Sequence, residues 1–435
     1  MTHFRIQGQQ PLSGTIGIQG SKNAATPLLV ASLLSPHPCT LTNVPNIEDV
    51  QRIIELLSSV GATVTRDDLH TLTIEARSVD PAKLAWPVVR RLRSSVLLMG
   101  ALLGRCRRVR MPGPGGDQIG ARPLAAHVDA FRLLGVEVTQ TGDTYELVQH
   151  DRGDVVLAMS EFSVTATENV VLAAVLAEGK RTVINCAAAE PSVQELCWLL
   201  QQRGAKVAGI GTHTLTIDGV SQLTPLKSYA VMPDPVESGT FIALAAAARA
   251  ELVLTDVPTT FMAAALQKFS EANVHFEITK LHPSINQAYL VADVRVRRST
   301  ELTALRNVHN MPYPGIAADL LPAFTVMLTQ AHGTSLVHDW MYEGRQKYAE
   351  ELRKMGGQIF VADPHRLLVT GPTNLFGAEI ASYDIRAGAA LFVAALIAQG
   401  TSVIGPAYQV DRGYEQLDQR LAALGANIQR VEEAD

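Results

Sequence analysis

A phrase that recurs six times along the chain is the feature that most limits how the chain can fold. Each copy contains a short β-rich run, a polar loop, an amphipathic helix, a glycine or its equivalent, and another strand. The residues that close the six helices are Gly61, Gly135, Gly204, Asn273, Gly356 and Gly425. Their spacing of roughly 70 to 80 residues is too long for a solenoid and suits one small α/β unit per copy.

A second, far more apolar helix precedes each copy. Because these segments are apolar on nearly every side, the pattern predicts six buried helices. Their polar residues cluster at the amino-terminal ends, namely Lys22 and Asn23, Arg93 and Ser94, Thr167 and Glu168, Glu237 and Ser238, Asp319, and Asp384 with Arg386. Helix amino termini present free N–H groups and the positive end of the dipole, so these ends predict an anion-binding site.

Three of these helix starts carry a cation, which opposes the helix dipole. Lys22, Arg93 and Arg386 would each cost about 0.3 kcal/mol or more unless an anion compensates the charge. This violation favours a negatively charged ligand over a purely structural role. The hydroxyl residues at the helix starts instead suit ordinary caps: Ser94, Ser163, Thr167 and Ser238.

Composition indicates a folded protein without a large charged surface. Of the 435 residues, 47% are hydrophobic and 18% are charged, and the formal net charge is -5. This mildly acidic balance argues against a nucleic-acid or membrane partner, and no apolar run reaches the ~18 residues of a membrane span. The cysteines form no CxxC pair, which predicts a reduced cytoplasmic location and no zinc site: Cys39, Cys106, Cys186 and Cys197.

A Pro-rich run separates the third copy from the fourth. Met232–Pro235 reads MPDP, and three copies lie on either side of it. Such a run is typical of a hinge. We therefore expect two similar α/β domains with a ligand between them, where pockets tend to form.

The Gly-rich segment Pro112–His127 is a candidate ligand loop. Its glycines permit close backbone approach, Arg122 can make two hydrogen bonds to a carboxylate or phosphate, and Asp117 is placed to exchange a proton. The segment contains neither a Walker A loop nor a dinucleotide fingerprint. A flexible surface loop is the alternative interpretation.

Several separated motifs occur together in order: SKNAA with Lys22 and Asn23, LRSS with Arg93, GGDQIGARP with Arg122, PDPVESGTF, Asp319, YEGR with Arg345, Asp384 to Arg386, and Asp411 to Tyr414. Over residues 4 to 431 they resemble the UDP-N-acetylglucosamine 1-carboxyvinyltransferases, the enolpyruvyl transferases that open bacterial peptidoglycan synthesis. The resemblance implies two inverted α/β domains built from six repeated units. The first domain would be 22–232, with its catalytic loop at 112–123, and the second 1–21 with 233–435.

The resemblance also implies a reaction. The enolpyruvyl group of phosphoenolpyruvate would pass to the 3-hydroxyl of UDP-N-acetylglucosamine, releasing phosphate through a tetrahedral intermediate without a metal or organic cofactor. The cations that would hold the phosphate and carboxylate are Lys22, Arg122 and Arg412, with Arg93, Arg345 and Arg386. The further substrate-contacting positions carried over are Asn23, Pro123, Leu124, Ser163, Val164, Asp319 and Met341.

Three aspartates take the implied proton-transfer and reaction-centre positions. Asp117 occupies the position of the acid, which in this family more often is cysteine, so the chain is a variant. An aspartate can serve there if burial or a neighbouring carboxylate lets it hold a proton near neutral pH. Asp319 resembles the base, and Asp384 would lie near the reacting carbon, although helix capping explains Asp384 equally well.

Three positions depart from the family pattern and leave the acceptor open. Ala125 stands where an aspartate is common, Glu161 where some members have lysine, and Pro235 where some have arginine. These changes should weaken binding of a uridine diphosphate. The alternatives are an enolpyruvyl transferase for another nucleotide or a shikimate-like ring, and a non-catalytic relative that binds the nucleotide sugar. Retention of both an acid and a base argues against the second alternative.

The aspartate at the acid position predicts resistance to fosfomycin. Epoxide antibiotics of this kind alkylate a thiolate, which is a much better nucleophile than a carboxylate. We expect mass spectrometry after fosfomycin treatment to find Asp117 unmodified. Stoichiometric labelling of Asp117 would contradict the prediction.

Overall fold

The computed structural model describes residues 2–116, 124–299 and 301–432. Within these residues the chain forms two compact units. The first unit contains 20–116 and 124–232, and the second contains 2–19 and 233–432. Gly20 and Ser21, which the sequence assigned to the second domain, therefore lie in the first unit.

The helices follow the repeated pattern. Those of the first unit are α1 Lys22–Ala31, α2 Glu48–Ser59, α3 Trp86–Val89, α4 Leu97–Cys106, α5 Ala125–Leu133, α6 Val164–Ala174 and α7 Pro191–Gln202. Those of the second unit are α8 Pro235–Ala247, α9 Ala263–Glu271, α10 Leu321–Leu328, α11 Tyr348–Lys354, α12 Ile385–Ile397, α13 Tyr408–Asp411 and α14 Leu417–Ala423. Within the described residues, no helix has the length and apolarity needed to cross a membrane.

The strands are short and lie between these helices. The first unit has β3 Cys39–Thr42, β4 Thr63–Asp68, β5 Thr71–Glu75, β6 Arg108–Pro112, β7 Val136–Thr141, β8 Thr144–Gln149, β9 Val155–Ala158, β10 Arg181–Asn185, β11 Lys206–Ala208, β12 Thr214–Asp218 and β13 Leu226–Ala230. The second unit has β1 Thr2–Gln7, β2 Ser13–Gly17, β14 Glu251–Val257, β15 Phe276–Pro283, β16 Leu290–Val296, β17 Leu302–Thr303, β18 Val308–His309, β19 Ala331–His338, β20 Gln358–Asp363, β21 Arg366–Gly371, β22 Glu379–Ala381, β23 Thr401–Gly405 and β24 Asn427–Glu432.

The prediction of six buried helices is confirmed. Helices α1, α4 and α6 of the first unit and α8, α10 and α12 of the second are buried along most of their length. Helices α4 and α6 approach to backbone contact, since a Cβ added at Gly100 would lie 2.4 Å from the carbonyl oxygen of Asn169. Apolar, small-residue helices therefore form the centre of each unit.

Each unit contains three sheets among the described residues, and most share one arrangement. In the first copy, β3 leads into α2, and the chain returns through the hairpin β4–β5. The resulting strand order is β13-β3-β5-β4, with β13 parallel to β3 and the other pairs antiparallel. The same order recurs as β11-β12-β10-β9 and as β15-β16-β14-β2. The repeats in the sequence thus correspond to repeated βα units.

The sixth copy is completed by a strand from the other end of the chain. Strand β1 pairs antiparallel with both β23 and β24, in the order β22-β23-β1-β24. It therefore takes the place that the second hairpin strand has in the other copies. Strand β2 adds parallel to β14 of the fourth copy.

The six helices that were predicted to end at a glycine or its equivalent all end at a residue with a left-handed backbone conformation. The φ angles at these positions run from 63° at Asn273 to 107° at Gly425. The amide of the following residue then reaches back to the last turn, as when Ala62 N–H donates to the carbonyl of Leu57 at 3.0 Å. This is the hydrogen bond of a Schellman cap, which satisfies the last helical carbonyls.

Replacing one of these glycines should cost stability through backbone conformation alone. At Gly204 φ is 89°, and an added Cβ would meet Thr224 at an ordinary 3.7 Å. We expect Gly204→Ala to lower the free energy of unfolding by about 1 kcal/mol, measured by urea titration. Gly153→Ala is the control, because its Cβ would enter open space without a positive φ. Equal effects of the two substitutions would contradict this explanation.

Candidate functional site

A charged cluster in the second unit joins three of the candidate residues. Asp319 lies in the 3-10 turn Ala318–Leu320 that leads into α10. Its two carboxylate oxygens accept hydrogen bonds from different arginines, Arg345 Nη2 at 2.9 Å and Arg386 Nε at 3.4 Å. The side chain of Asp319 remains 26% exposed. A carboxylate held between two guanidinium groups is therefore open to a ligand.

Arg386 is buried by groups from several elements. It lies in the first turn of α12, and its side chain is only 5% exposed. Its Nη2 donates to Asp234 at 3.1 Å, and its guanidinium lies 5.2 Å from the ring centre of Tyr414. Burial opposes the charge, but Asp234, Tyr414 and Asp319 outweigh it and raise the pKa of Arg386. The arginine stays charged inside the protein because of these partners.

Two helix starts in the cluster are capped by aspartates. Asp384 Oδ1 accepts from the backbone N–H groups of Arg386 and Ala387 at 2.9 Å, so it caps α12. The capping interpretation of Asp384 is therefore confirmed. Asp234 caps α8 in the same way, which the sequence reasoning missed. An aspartate followed by proline before an apolar helix is the signal that could have identified it.

A recess beside the cluster contains about 340 Å³ of empty space, part of it open to solvent. Its lining residues are Ala318, Leu321, Pro322, Val337, Asp339, Arg345, Gln346, Tyr348 and Asp384. Burial raises the pKa of Asp339, which accepts hydrogen bonds from Asn310 and from the backbone of Tyr342. Burial opposes the charge of Arg345, but Asp319 and other carboxylates raise its pKa. The recess thus combines an arginine with carboxylates of different exposure.

The remaining candidates of the second unit lie in two other segments. Arg412 follows α13, is buried, and donates from Nη1 to Gln409 Oε1 at 3.2 Å. Met341 is half-buried in the loop that also carries Arg345. The proposed contacts of Arg412 and Met341 with a substrate stay predictions.

In the first unit, the cation at the start of α1 has a partner within the protein. Lys22 Nζ lies 3.1 Å from Asp49, whose side chain is 1% exposed. The next residue, Asn23, is exposed. Lys22 and Arg386 thus each pair with a buried carboxylate within the protein, and their contact with a ligand anion stays a prediction.

A buried histidine lies in the first turn of α5, near the charge of Arg93. His127 is 2% exposed; its Nε2 lies 3.2 Å from Thr165 Oγ1, and its Nδ1 lies 3.0 Å from Asn169 Nδ2. Burial, together with the nearby charge of Arg93, lowers the pKa of His127 to about 3. His127 therefore remains neutral and ties α5 to α6. Leu124 is the half-buried residue immediately before α5.

The hydroxyl residues predicted as helix caps behave differently. Ser163 does occupy the cap position of α6 just before Val164, but its side chain makes no capping bond. Ser94 lies inside the turn Arg93–Val96, and Ser238 donates to the carbonyl of Asp234, so capping by their hydroxyls was wrong. Thr167 likewise donates to the carbonyl of Ser163. The group that caps α8 is the carboxylate of Asp234.

Part of the predicted site cannot be compared with the structure. Asp117, Arg122 and Pro123 lie outside the described residues. Lys22 and Asn23 belong to the first unit, whereas Asp319 and the arginines around it belong to the second. Among the residues that the structure describes, no group of histidine, cysteine and carboxylate side chains is arranged to hold a metal ion.

Two buried glutamates of the first unit have strongly shifted pKa values. Burial raises the pKa of Glu168 and of Glu195 to about 8. Glu168, near the start of α6, accepts a hydrogen bond from Ser192 at 2.9 Å. Both side chains therefore hold a proton at neutral pH inside the folded unit.

Comparison with known proteins identifies relatives over the full chain. A family model described as EPSP synthase (3-phosphoshikimate 1-carboxyvinyltransferase) matches residues 6–421. The UDP-N-acetylglucosamine 1-carboxyvinyltransferase of Bradyrhizobium diazoefficiens is 40% identical over 432 residues, which cover 99% of this chain and 98% of the relative. The protein of the same name from Treponema denticola is 37% identical and covers 99% of this chain and 100% of its own.

Solved structures show the same fold at lower identity. The enolpyruvyl transferase NikO from Streptomyces tendae matches with a TM-score of 0.87, covers 99% of both chains, and is 23% identical. The EPSP synthase of Acinetobacter baumannii matches with a TM-score of 0.77 over 99% of this chain and 100% of its own, at 18% identity. The predicted fold of two α/β domains built from repeated units is confirmed at this level.

The buried glutamate predicts how stability changes with pH. Because folding raises the pKa of Glu168 from its ordinary value of 4.5 to about 8, its contribution to stability is full below about pH 4.5 and is lost as pH rises to about 8. Glu168→Gln keeps the hydrogen bond to Ser192 but removes the proton. We expect the variant to lose less free energy of unfolding between pH 5 and pH 8, by at most about 4 kcal/mol.

Urea unfolding across this pH range measures the effect. The exposed Glu178→Gln is the matched control in the same unit and should follow the unchanged protein. If Glu168→Gln and the unchanged protein lose the same stability over this range, the folded unit does not keep Glu168 protonated.

Proposed function

This chain belongs to the EPSP synthase family, and from that premise we propose that it transfers the enolpyruvyl group of phosphoenolpyruvate to the 3-hydroxyl of UDP-N-acetylglucosamine and releases phosphate. It is a UDP-N-acetylglucosamine 1-carboxyvinyltransferase. The reaction supplies a precursor of peptidoglycan. Cell shape and cell division would depend on it through the wall, and the reduced cysteines suit a reaction in the cytoplasm.

The observation that carries this proposal is the placement of Asp319. Its carboxylate is held by Arg345 and Arg386 yet remains partly exposed beside a recess. A general base must come within hydrogen-bond reach of the proton that it accepts. Asp319 can meet that requirement for a sugar hydroxyl, and the two arginines fix its orientation.

The cations suit a substrate that carries a phosphate and a carboxylate. In the second unit, Arg345, Arg386 and Arg412 are the proposed binding groups, and in the first unit Lys22 and Arg93 are. Guanidinium groups match the geometry of planar oxyanions, and preorganised cations stabilise charge that develops in the transition state. We assign Arg122 to the same task.

The enol carbon of phosphoenolpyruvate must be protonated by an acid, and in this chain the acid position holds an aspartate. We assign this role to Asp117 by its place in the Gly-rich loop. A carboxylic acid can serve if its surroundings keep it protonated near neutral pH. Asp384 already caps α12, so its proposed place near the reacting carbon is an additional role for its second oxygen.

The remaining substrate-contacting positions are proposed to bind the nucleotide sugar. Asn23 is exposed beside Lys22, and Leu124 is half-buried just before α5. Ser163 and Val164 begin α6, whose free amide groups suit a phosphate oxygen. The other proposed positions are Pro123 and Met341.

A second candidate function is enolpyruvyl transfer to a different acceptor. Ala125 and Glu161 are exposed in the first unit, so neither departure from the family pattern is explained by packing. Pro235, in contrast, is the first residue of α8, where proline is favoured for its fixed backbone angle. The exposed carboxylate of Glu161 close to the start of α6 would repel a diphosphate.

Phosphate release separates these functions. We expect release when the protein is incubated with phosphoenolpyruvate and UDP-N-acetylglucosamine, but not with shikimate 3-phosphate or other uridine nucleotides. Asp319→Asn should lower kcat about 1000-fold because the proton acceptor is lost, while the Kd for the sugar nucleotide, measured by calorimetry, changes little.

Asp363→Asn is the matched control, because it removes a carboxylate that pairs with Arg366 in the same unit. It should leave kcat unchanged. Release with only a non-uridine acceptor would favour the second candidate, and no release with any acceptor would contradict both. If Asp319→Asn keeps kcat within tenfold, Asp319 is not the base.

A further inference from the structure

The guanidinium of Arg386 is shared between two carboxylates of unlike exposure. Nη2 donates to Asp234 at 3.1 Å, and Nε donates to Asp319 at 3.4 Å. Asp234 is 3% exposed and Asp319 is 26% exposed. The buried carboxylate thus makes the shorter contact, and the carboxylate that faces the recess makes the longer one.

Asp234 is fixed by a second task. Its Oδ1 accepts from the backbone N–H groups of Val236 and Glu237 at 2.8 and 3.3 Å, and its own N–H donates to the carbonyl of Gln19 at 2.8 Å. Oδ1 caps α8, and Oδ2 remains for Arg386. Because the cap holds the carboxylate in place, Asp234 also fixes one edge of the guanidinium.

The rest of the guanidinium is confined by packing. The guanidinium carbon lies over the ring of Tyr414, 5.2 Å from the ring centre, and the backbone of Arg386 is anchored where Asp384 caps α12. The tyrosine hydroxyl lies 3.4 Å from Thr240 on α8. Arg386 therefore cannot turn to make a bidentate contact with Asp319 without breaking its contact with Asp234.

We propose that Asp234 is a positioning residue, which by competing for Arg386 limits the positive charge that reaches the proton-accepting carboxylate of Asp319. The charge balance explains the effect. Two guanidinium groups alone would hold a carboxylate so firmly that it would be a poor proton acceptor. A buried negative charge bound to another nitrogen of one guanidinium offsets part of that attraction. The catalytic part of this inference rests on the proposed function, whereas the sharing of charge does not.

Several charged and titratable groups among the described residues lie around this pair. They are Arg345, Asp339, Asp384, Tyr348, Tyr414, Glu237 and Arg420. Glu237 accepts a hydrogen bond from Arg420 on α14 and acts on Arg386 through its charge alone. It is therefore a buried carboxylate on the same helix turn as Asp234 that does not hold the shared guanidinium.

Asp234→Asn isolates the charge from the cap, because asparagine caps a helix about as well as aspartate. In the variant, Arg386 no longer pairs with a carboxylate at position 234, so Asp319 is its remaining carboxylate partner. The substitution also removes a negative charge near Asp319. Both effects make Asp319 harder to protonate. We expect its titration midpoint to fall by about 0.5 to 1 pH unit, and kcat for phosphate release to fall about tenfold with its acidic limb moved to lower pH.

The midpoint is measured by ¹³C NMR of labelled aspartate carboxyl groups, with the Asp319 signal assigned as the one that Asp319→Asn removes. Asp234→Ala should lose stability through the missing cap yet give the same midpoint shift. Glu237→Gln removes a buried negative charge that makes no hydrogen bond to Arg386, so it should move the midpoint less than Asp234→Asn does. An unmoved midpoint in Asp234→Asn, or an equal shift in Glu237→Gln, would overturn the inference.

The two readouts also separate this inference from the proposed function, because the titration needs no turnover. A protein that shows the midpoint shift but releases no phosphate would contradict the proposed function alone. A protein that releases phosphate without the midpoint shift would contradict the role of Asp234 alone.

Discussion

The second unit depends on keeping one buried arginine charged. Removing a guanidinium from water is costly, so Arg386 is stable inside the protein only because Asp234, Asp319 and Tyr414 surround it. Those partners come from α8, from the turn before α10 and from the segment before α14. The ion pairs of one arginine thus join separate copies of the repeat, and they hold Asp319, the proposed proton acceptor, beside a recess.

The repeat makes such a cluster possible. Each copy ends its amphipathic helix with a left-handed residue and begins its apolar helix with polar groups, so six similar helix starts exist in the chain. A helix start offers free amide groups, and aspartates use them at α8 and α12. The same helix starts therefore carry both capping carboxylates and the arginine Arg386.

The motifs named several members of the charged cluster in the second unit but not how these residues pair. Asp319, Arg345 and Arg386 were identified from motifs, and the structure joins them by hydrogen bonds. Asp234 was missed because an aspartate before proline looks like an ordinary turn. The ion pair of Lys22 with the buried Asp49, 27 residues further along the chain, was not indicated by any local pattern.

The sequence by itself determined the family, through motifs that resemble those of known members. It also determined the six repeats, the burial of the apolar helices and the left-handed ends, because these follow from periodicity or from the conformation open to one residue. Only the tertiary structure decided that β1 completes the sheet of the sixth copy and that Arg386 divides its charge between Asp234 and Asp319. Both outcomes are contacts between residues far apart in the chain. Local sequence patterns cannot specify such contacts, since the geometry that selects one partner exists only after the core has packed.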